Sequence, residues 1–201
     1  MIRLKISLLL TLLFSISLNA QIANTIFENG DAFNSFPQLR YVNIANIPVV
    51  NMPEVNVNAL LQEDRELDVQ GIGRPFRFGH NIETNISMEQ GQWHQTEQHN
   101  IWSVRIASQN AYSLNFVLSD VRLSPRAELY LFNPDGFMVS GAITARDIHP
   151  SMRGVFPSTV LVGSSIIIQI IEPITDNQFS NIRITRVTHG YKNTFPFIKP
   201  K

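Results

Sequence analysis

The stretch Gly163-Ser164-Ser165 contains the best candidates for a nucleophile in this sequence. A serine hydrolase needs a serine held at a sharp turn or beside an oxyanion hole, a histidine that acts as base, and an acid that orients the histidine. The stretch lacks the G-x-S-x-G pattern of a nucleophile elbow, and it leads directly into a long apolar segment. We therefore interpret it as a polar turn before a buried strand, and we expect no catalytic residue there.

Two groups of histidines and acidic residues could bind a metal or form part of a catalytic site. His94 and His99 flank Glu97, but residues five apart lie on different faces of a helix and on opposite faces of a strand. Only a hairpin would bring this pair together, and zinc usually needs three or four protein ligands. Asp147 and His149 are an acid and a base without a neighbouring nucleophile. We therefore predict that the chain is not an enzyme and holds no metal or cofactor.

Aromatic side chains offer a third kind of site, a platform on which sugar rings stack. The candidates are Trp93, Trp102, Tyr112, Phe116, Tyr130 and Phe132. Trp102 and Phe116 fall on the apolar side of alternating segments, which favours packing in a core over ligand binding. The pattern leaves the roles of Trp93 and Tyr130 open.

These candidates depend on a predicted set of strands that must position them. Apolar and polar residues alternate along 102–106, 114–119 and 128–131, which indicates strands with one buried face. The segment 165–173 is apolar at nearly every position, which predicts a central strand covered on both faces. Turn residues separate these runs. About seven or eight short strands predict a mostly β fold, an antiparallel β-sandwich or jelly roll, over residues 74–191.

The two flanks of the predicted sandwich have a different pattern. Residues 21–73 are interrupted repeatedly by Asn and Pro, which predicts an irregular, extended arm. Leucines among charged residues predict one short amphipathic helix in this arm, near 57–68. Residues 192–201 form a short tail with two prolines. We expect 75–191 to close a core alone. The flanking apolar residues expected to meet a partner are Leu60, Leu61, Leu67, Phe195, Phe197 and Ile198.

Composition and charge narrow the classes of function. The formal net charge is zero, which argues against nucleic-acid binding because that function needs a basic surface. Residues 1–20 have Arg3 and Lys5 at their start, an apolar run from Ile6 to Leu18, and Ala20 at their end, the layout of a secretory signal peptide. The apolar run is shorter than the ~20 residues that span a bilayer. We expect an exported protein, periplasmic, at the cell surface or extracellular, whose cysteine-free core is stable without disulfides.

Several stretches of the sequence together resemble one family. They are "PFRFGHNIE", "GQW", "IWSVRIASQNAYSLNFVLSDVRLSPRAELYLFNPDG", "GVFPSTVLVGSSIIIQIIEP" and "ITRVTHGYK". This series is similar to the N-terminal, non-catalytic region of secreted bacterial trypsin-like serine peptidases of the lysyl-endopeptidase type. The resemblance covers about residues 53–192, and its motifs include W-x-x-R-I from Trp102 to Ile106.

The resemblance implies an accessory role. In those peptidases the catalytic domain, with its histidine, aspartate and serine, follows directly after a segment like Val187 to Tyr191. None of the triad motifs is present in this sequence, so the resemblance assigns no catalytic residue. It implies a pro-region-like domain that assists the folding of a trypsin-like serine peptidase, restrains it or exports it. The alternative is a free-standing exported module that binds a glycan or a protein surface, and an exposed aromatic patch would favour this alternative. Both leave the oligomeric state open.

Overall fold

The described part of the protein folds into two packed β-sheets. The computed structural model describes residues 22–27, 31–71, 75–176 and 179–195. The predicted signal peptide, residues 1–20, lies outside the described residues.

The described elements are mostly strands. They are β1 (Asn24–Ile26), β2 (Val49–Asn51), β3 (Gly79–Ile86), β4 (Gln92–Gln95), β5 (His99–Ala107), β6 (Ser113–Arg122), β7 (Glu128–Phe132), β8 (Met138–Ile143), β9 (Phe156–Pro157), β10 (Leu161–Val162), β11 (Ser165–Pro173) and β12 (Asn181–Gly190). The helices are α1 (Ala32–Ser35) and α2 (Val57–Val69), with short 3-10 turns at Pro37–Arg40, Ile44–Asn46, Met88–Gln90 and Pro150–Met152.

The strand order defines a larger and a smaller sheet. The larger sheet has the order β1-β8-β7-β11-β5-β2, and β4 also pairs with β5. The smaller sheet has the order β10-β6-β12-β3, and β9 also pairs with β6. The paired strands are antiparallel except for β2, which runs parallel to β5. The prediction of a mostly β fold built as an antiparallel sandwich is confirmed, and the jelly-roll strand order stays a prediction.

The core between the two sheets follows from the alternating pattern. Trp102, Val104 and Ile106 of β5 pack in one cluster with Leu114 and Phe116 of β6, and each is at most 1% exposed. Burial of each such side chain contributes about 1.5–3 kcal/mol to folding. The assignment of Trp102 and Phe116 to the core is confirmed.

Trp102 is fixed by two neighbours in the preceding turn. Its indole Nε1 donates a hydrogen bond to the Met88 carbonyl at 2.9 Å. Gly91 lies so close to the indole ring that a Cβ at this position would overlap ring atoms. The glycine therefore allows the close approach of backbone and ring, and its φ of −98° is one that any residue adopts.

Strand β11 is buried on both faces, as its apolar run predicted. Ile166, Ile168 and Ile170 belong to the core between the sheets. Ile167 and Ile171 belong to a second cluster, on the outer face of the larger sheet. This strand is central in its sheet, between β7 and β5.

The N-terminal segment covers that second cluster. Ala32, Leu39 and Ile47 are buried against Tyr130 and Phe132 of β7. In addition, β1 pairs with β8 and β2 pairs with β5. The expectations of a strand pattern confined to 75–191, and of a single buried face on β7, are therefore wrong. The two added strands have three residues each, too few to show an alternation in the sequence.

The helix predicted near 57–68 is confirmed as α2, Val57–Val69. The Asn56 side chain accepts a hydrogen bond from the backbone N–H of Ala59 at 3.1 Å, which satisfies one of the free donors at the helix start. The leucines of α2 are half-buried, and Asp64 is 3% exposed. The helix thus lies against its own domain.

The start of the tail also contacts the domain. Phe195 is half-buried and packs against the core between the sheets. Phe195, which was expected to meet a partner, therefore packs at least in part on its own domain. Phe197 and Ile198 lie outside the described residues.

Candidate functional site

The serines first considered as nucleophiles lie in a polar turn. Ser165 is the first residue of β11, and its Oγ accepts a hydrogen bond from Arg105 Nε at 2.6 Å. The Ser164 carbonyl accepts a hydrogen bond from the backbone N–H of Ser108 at 2.9 Å. Within the described ranges, no hydrogen bond joins either candidate serine to a histidine. The contacts support the interpretation of this stretch as a turn that starts a strand.

A serine–histidine pair that the sequence did not indicate lies inside the protein. Ser108 Oγ and His189 Nδ1 are 2.8 Å apart, and the two residues are 1% and 0% exposed. Burial lowers the pKa of His189, and the nearby His80 lowers it further. A nucleophile must meet its substrate, and this pair is closed to solvent. We therefore interpret it as a structural contact.

The hairpin that would bring His94 and His99 together does form, as β4 and β5. It pairs His94 with Ile101, and His99 stacks on Tyr41 with ring centroids 5.6 Å apart. In the part of the chain that the structure describes, no group of three or more histidine, aspartate or glutamate side chains is placed to hold a metal ion.

Asp147 and His149 organise their own loop. The Asp147 carboxylate accepts hydrogen bonds from the backbone N–H and the hydroxyl of Thr144, at 2.7 and 2.8 Å. His149 Nδ1 is 2.7 Å from the Ser151 hydroxyl. These contacts are local and exposed or half-buried.

The aromatic candidates divide into buried and exposed groups. Trp102, Phe116, Tyr130 and Phe132 are at most 2% exposed. The Tyr130 hydroxyl donates to Glu128 at 2.8 Å and accepts from Gln38 at 3.0 Å. Burial, mainly, raises the pKa of Tyr130. The role of Tyr130 that the sequence left open is therefore packing.

The sequence also left the role of Trp93 open. Unlike Tyr130, Trp93 is not packed in the core, and 38% of it is exposed. Its ring meets the ring of Phe179 edge to face, with centroids 6.2 Å apart and an angle of 76° between the planes. Phe179 is 66% exposed. The pair forms an exposed aromatic corner, the kind of patch that favours a binding module. Phe179 was missed because it lies in a loop without any periodic pattern.

A groove of about 510 Å³ runs past this aromatic corner. Its lining includes Trp93, His94, Gln95, Asn100, Phe179 and Ser180. The volume is within the range of small-molecule sites. We call this feature the aromatic groove.

The wall of the groove that carries Phe179 is anchored by a buried carboxylate. Glu172 is 1% exposed, and its Oε2 accepts hydrogen bonds from the backbone N–H and the Oγ of Ser180, at 3.0 and 2.6 Å. The Ser180 Oγ also accepts a hydrogen bond from the backbone N–H of Ser124 at 2.9 Å. These contacts fix the residue next to Phe179.

The segment before this wall is held by an ion pair. Asp176 pairs with the guanidinium of Arg126 and accepts a hydrogen bond from the Ser124 hydroxyl at 3.0 Å. Burial alone would raise the pKa of Asp176, but the hydrogen bonds from Arg126 and Ser124 outweigh it and lower the pKa.

A second feature joins α2 to the end of β12. Asp64 accepts hydrogen bonds from the Tyr191 hydroxyl at 2.7 Å and from Arg77 Nε at 3.0 Å, and its carboxylate is 2.6 Å from Lys192 Nζ. Arg77 also pairs with Glu63 at 2.8 Å. We call Asp64, Arg77, Tyr191 and Lys192 the junction cluster.

The groups of the junction cluster shift one another's pKa values. The hydrogen bonds to Glu63 and Asp64 raise the pKa of Arg77, although burial opposes them. Burial, and next the contact with Asp64, raise the pKa of Tyr191, so that its hydroxyl stays a donor. The residue after β12 is therefore fixed to the helix of the N-terminal segment, across 127 positions of sequence.

An exposed aromatic ring lies beside the junction cluster. Phe76 is 71% exposed, and Lys192 Nζ lies 5.1 Å from the centroid of its ring. Phe76 thus lies beside Lys192 and next to Arg77 in the chain, where solvent reaches it.

Comparisons with known proteins leave the family unassigned. No protein-family model matches the sequence, and a search of curated proteins finds no match. Among the described residues, no helix combines the length and the apolar character needed to cross a bilayer.

Proposed function

We propose that the chain is an exported, non-catalytic accessory domain that associates with a trypsin-like serine peptidase domain. The observation that carries the proposal is the position of the junction cluster. It lies at the end of the segment Val187 to Tyr191, which resembles the stretch that precedes the catalytic domain in peptidases of the lysyl-endopeptidase type.

The junction cluster supports this role by fixing the point from which a peptidase domain would extend. Tyr191 is 2% exposed, and Lys192 is paired with Asp64. A domain attached after Lys192, or a separate partner bound there, would meet an ordered surface, and less conformational entropy would be lost on docking.

Phe76 supplies the apolar contact of this surface. Large aromatic side chains often dominate the binding energy of an interface, and the charged groups around them contribute orientation and association rate. Arg77 and Lys192 keep 32% and 23% of their side chains exposed. The peptidase face proposed here therefore combines one apolar anchor with two cations.

The test is direct binding to a catalytic domain. The purified protein is titrated by calorimetry with a lysyl-endopeptidase-type catalytic domain encoded in the same genome. We expect micromolar or tighter binding, and Phe76→Ala is expected to weaken it about tenfold or more, the equivalent of ~1.4 kcal/mol. Trp93→Ala is the matched control, since Trp93 is also an exposed aromatic residue, at 38%, and lies at the aromatic groove instead of the junction cluster. Absence of binding, or equal affinity of the two variants, would contradict the proposal.

A second candidate function is favoured by a different observation. The exposed Trp93–Phe179 corner supports a free-standing exported module that binds a glycan or a protein surface. This function would use the aromatic groove, whereas association with a peptidase would use the junction cluster and Phe76. Variants of the two features therefore separate the two functions.

A further inference from the structure

We propose that the aromatic groove binds an uncharged glycan, with one sugar ring stacked on Trp93 or Phe179. This inference rests on the second candidate function, the binding module, and names its ligand. It depends on the shape of the aromatic corner, on the chemistry of the lining side chains and on the rigidity of the walls.

The aromatic corner offers ring faces to a ligand. The planes of Trp93 and Phe179 meet at 76°, edge to face, so that neither ring is stacked flat on the other. Both rings keep a large exposed fraction, 38% and 66%. The face of an aromatic ring carries negative charge density and attracts the weakly positive C–H groups that cover one face of a sugar ring.

Two of the other lining side chains match hydroxyl groups. Gln95 and Asn100 each carry an amide that both donates and accepts hydrogen bonds. A sugar presents hydroxyls, which likewise donate and accept. None of the described residues that line the groove is Asp, Glu, Lys or Arg, and His94 is the one lining side chain among them that can carry a charge, so the lining offers little to compensate a charged ligand for its lost hydration. The lining therefore favours a neutral, hydroxyl-rich ligand.

Both walls of the groove are held in place before a ligand arrives. Trp93 lies on β4 directly opposite Trp102, whose side chain is fixed in the core. Ser180, next to Phe179, is fixed by Glu172 and by the backbone of residue 124. A preformed site loses less entropy on binding.

The experiment uses the purified protein and neutral polysaccharides. Cellulose, chitin and xylan are used in pull-down assays, and their soluble oligosaccharides are titrated by tryptophan fluorescence. The sequence contains two tryptophans, and Trp102 is 1% exposed, so a ligand-induced shift reports on Trp93. We expect binding of at least one neutral glycan, reduced tenfold or more in Trp93→Ala and in Phe179→Ala. Tyr112→Ala, which removes an exposed aromatic elsewhere, should retain the parent affinity.

Further arms of the experiment separate the outcomes. Thermal melts of each variant by circular dichroism establish that a loss of binding is not a loss of folding. A proline-rich peptide is titrated in parallel, because such peptides also dock on aromatic surfaces. If the peptide alone binds, and its binding depends on Trp93, the proposed glycan ligand is wrong but the proposed binding module is retained. Absence of Trp93-dependent binding to glycan and peptide would overturn both, and the calorimetric test with the peptidase domain would be unaffected.

Discussion

Replacement of Asp64 by alanine should destabilise the protein far more than a substitution at a typical helix surface. Asp64 is 3% exposed and contacts Tyr191, Arg77 and Lys192. Removing one partner of a buried ion pair costs about 3–5 kcal/mol, because the other charge is left without compensation. A buried hydroxyl that loses its acceptor costs about 1–3 kcal/mol.

Two features reduce this figure. Arg77 keeps its contact with Glu63 at 2.8 Å, and both cations reach solvent, which screens their charges. We therefore expect Asp64→Ala to lower the free energy of unfolding by about 3 kcal/mol. The measurement is equilibrium unfolding in urea, followed by tryptophan fluorescence, with the slopes compared between parent and variant.

The neighbouring acidic residue provides the matched control. Glu63 contacts the same guanidinium, but 54% of its side chain is exposed. Exposed ion pairs contribute about 0–1 kcal/mol, so Glu63→Ala should stay within that range. Equal losses in the two variants would refute the conclusion that Asp64 fixes the helix to the end of β12.

Three further predictions concern the core, the buried histidine and the buried serine. Trp102→Ala should lower the free energy of unfolding by about 3–5 kcal/mol, whereas Trp93→Ala should change it little; coincident urea melts of parent and Trp102→Ala would contradict the packing. Because burial lowers the pKa of His189, the unfolded chain binds a proton that the folded chain does not, so stability should fall as pH drops below about 6.5. Between pH 7 and 5, the free energy of unfolding should depend less on pH in His189→Gln than in the parent, and His149→Gln should behave like the parent. An unchanged pH dependence in His189→Gln would exclude His189 as the source of the fall. Finally, the buried Ser108 predicts no labelling of the folded protein by a fluorophosphonate probe, and labelling abolished by Ser108→Ala would reverse our interpretation of the pair.

Periodicity in the sequence was sufficient to predict the central strands of the fold. The alternation around Trp102 and Phe116 and the apolar run of β11 predicted strands, burial and the central position correctly. The helix near 57–68 was also predicted, because its leucines follow the helical period. These features depend on local pattern, which a single sequence contains.

Features made by distant residues could not be predicted in the same way. Strands β1 and β2 have three residues each, and their pairing depends on partners far along the chain. Asp64 lies three or four residues from Leu60, Leu61 and Leu67, on the same face of the helix, but helical spacing says nothing of its distant hydroxyl donor, Tyr191. Trp93 lies between polar residues on an edge strand, and its neighbour Phe179 lies in a loop, so no pattern joined them.

The most direct test of the proposed association with a peptidase is hydrogen–deuterium exchange, measured on the protein alone and mixed with the lysyl-endopeptidase-type catalytic domain from the same genome. The proposal predicts added protection of backbone amides in residues 76–79 and 190–193, around the junction cluster. It predicts unchanged exchange in residues 92–95 and 179–181, at the aromatic groove. Protection at the groove alone, or identical exchange with and without the catalytic domain, would contradict the proposed function.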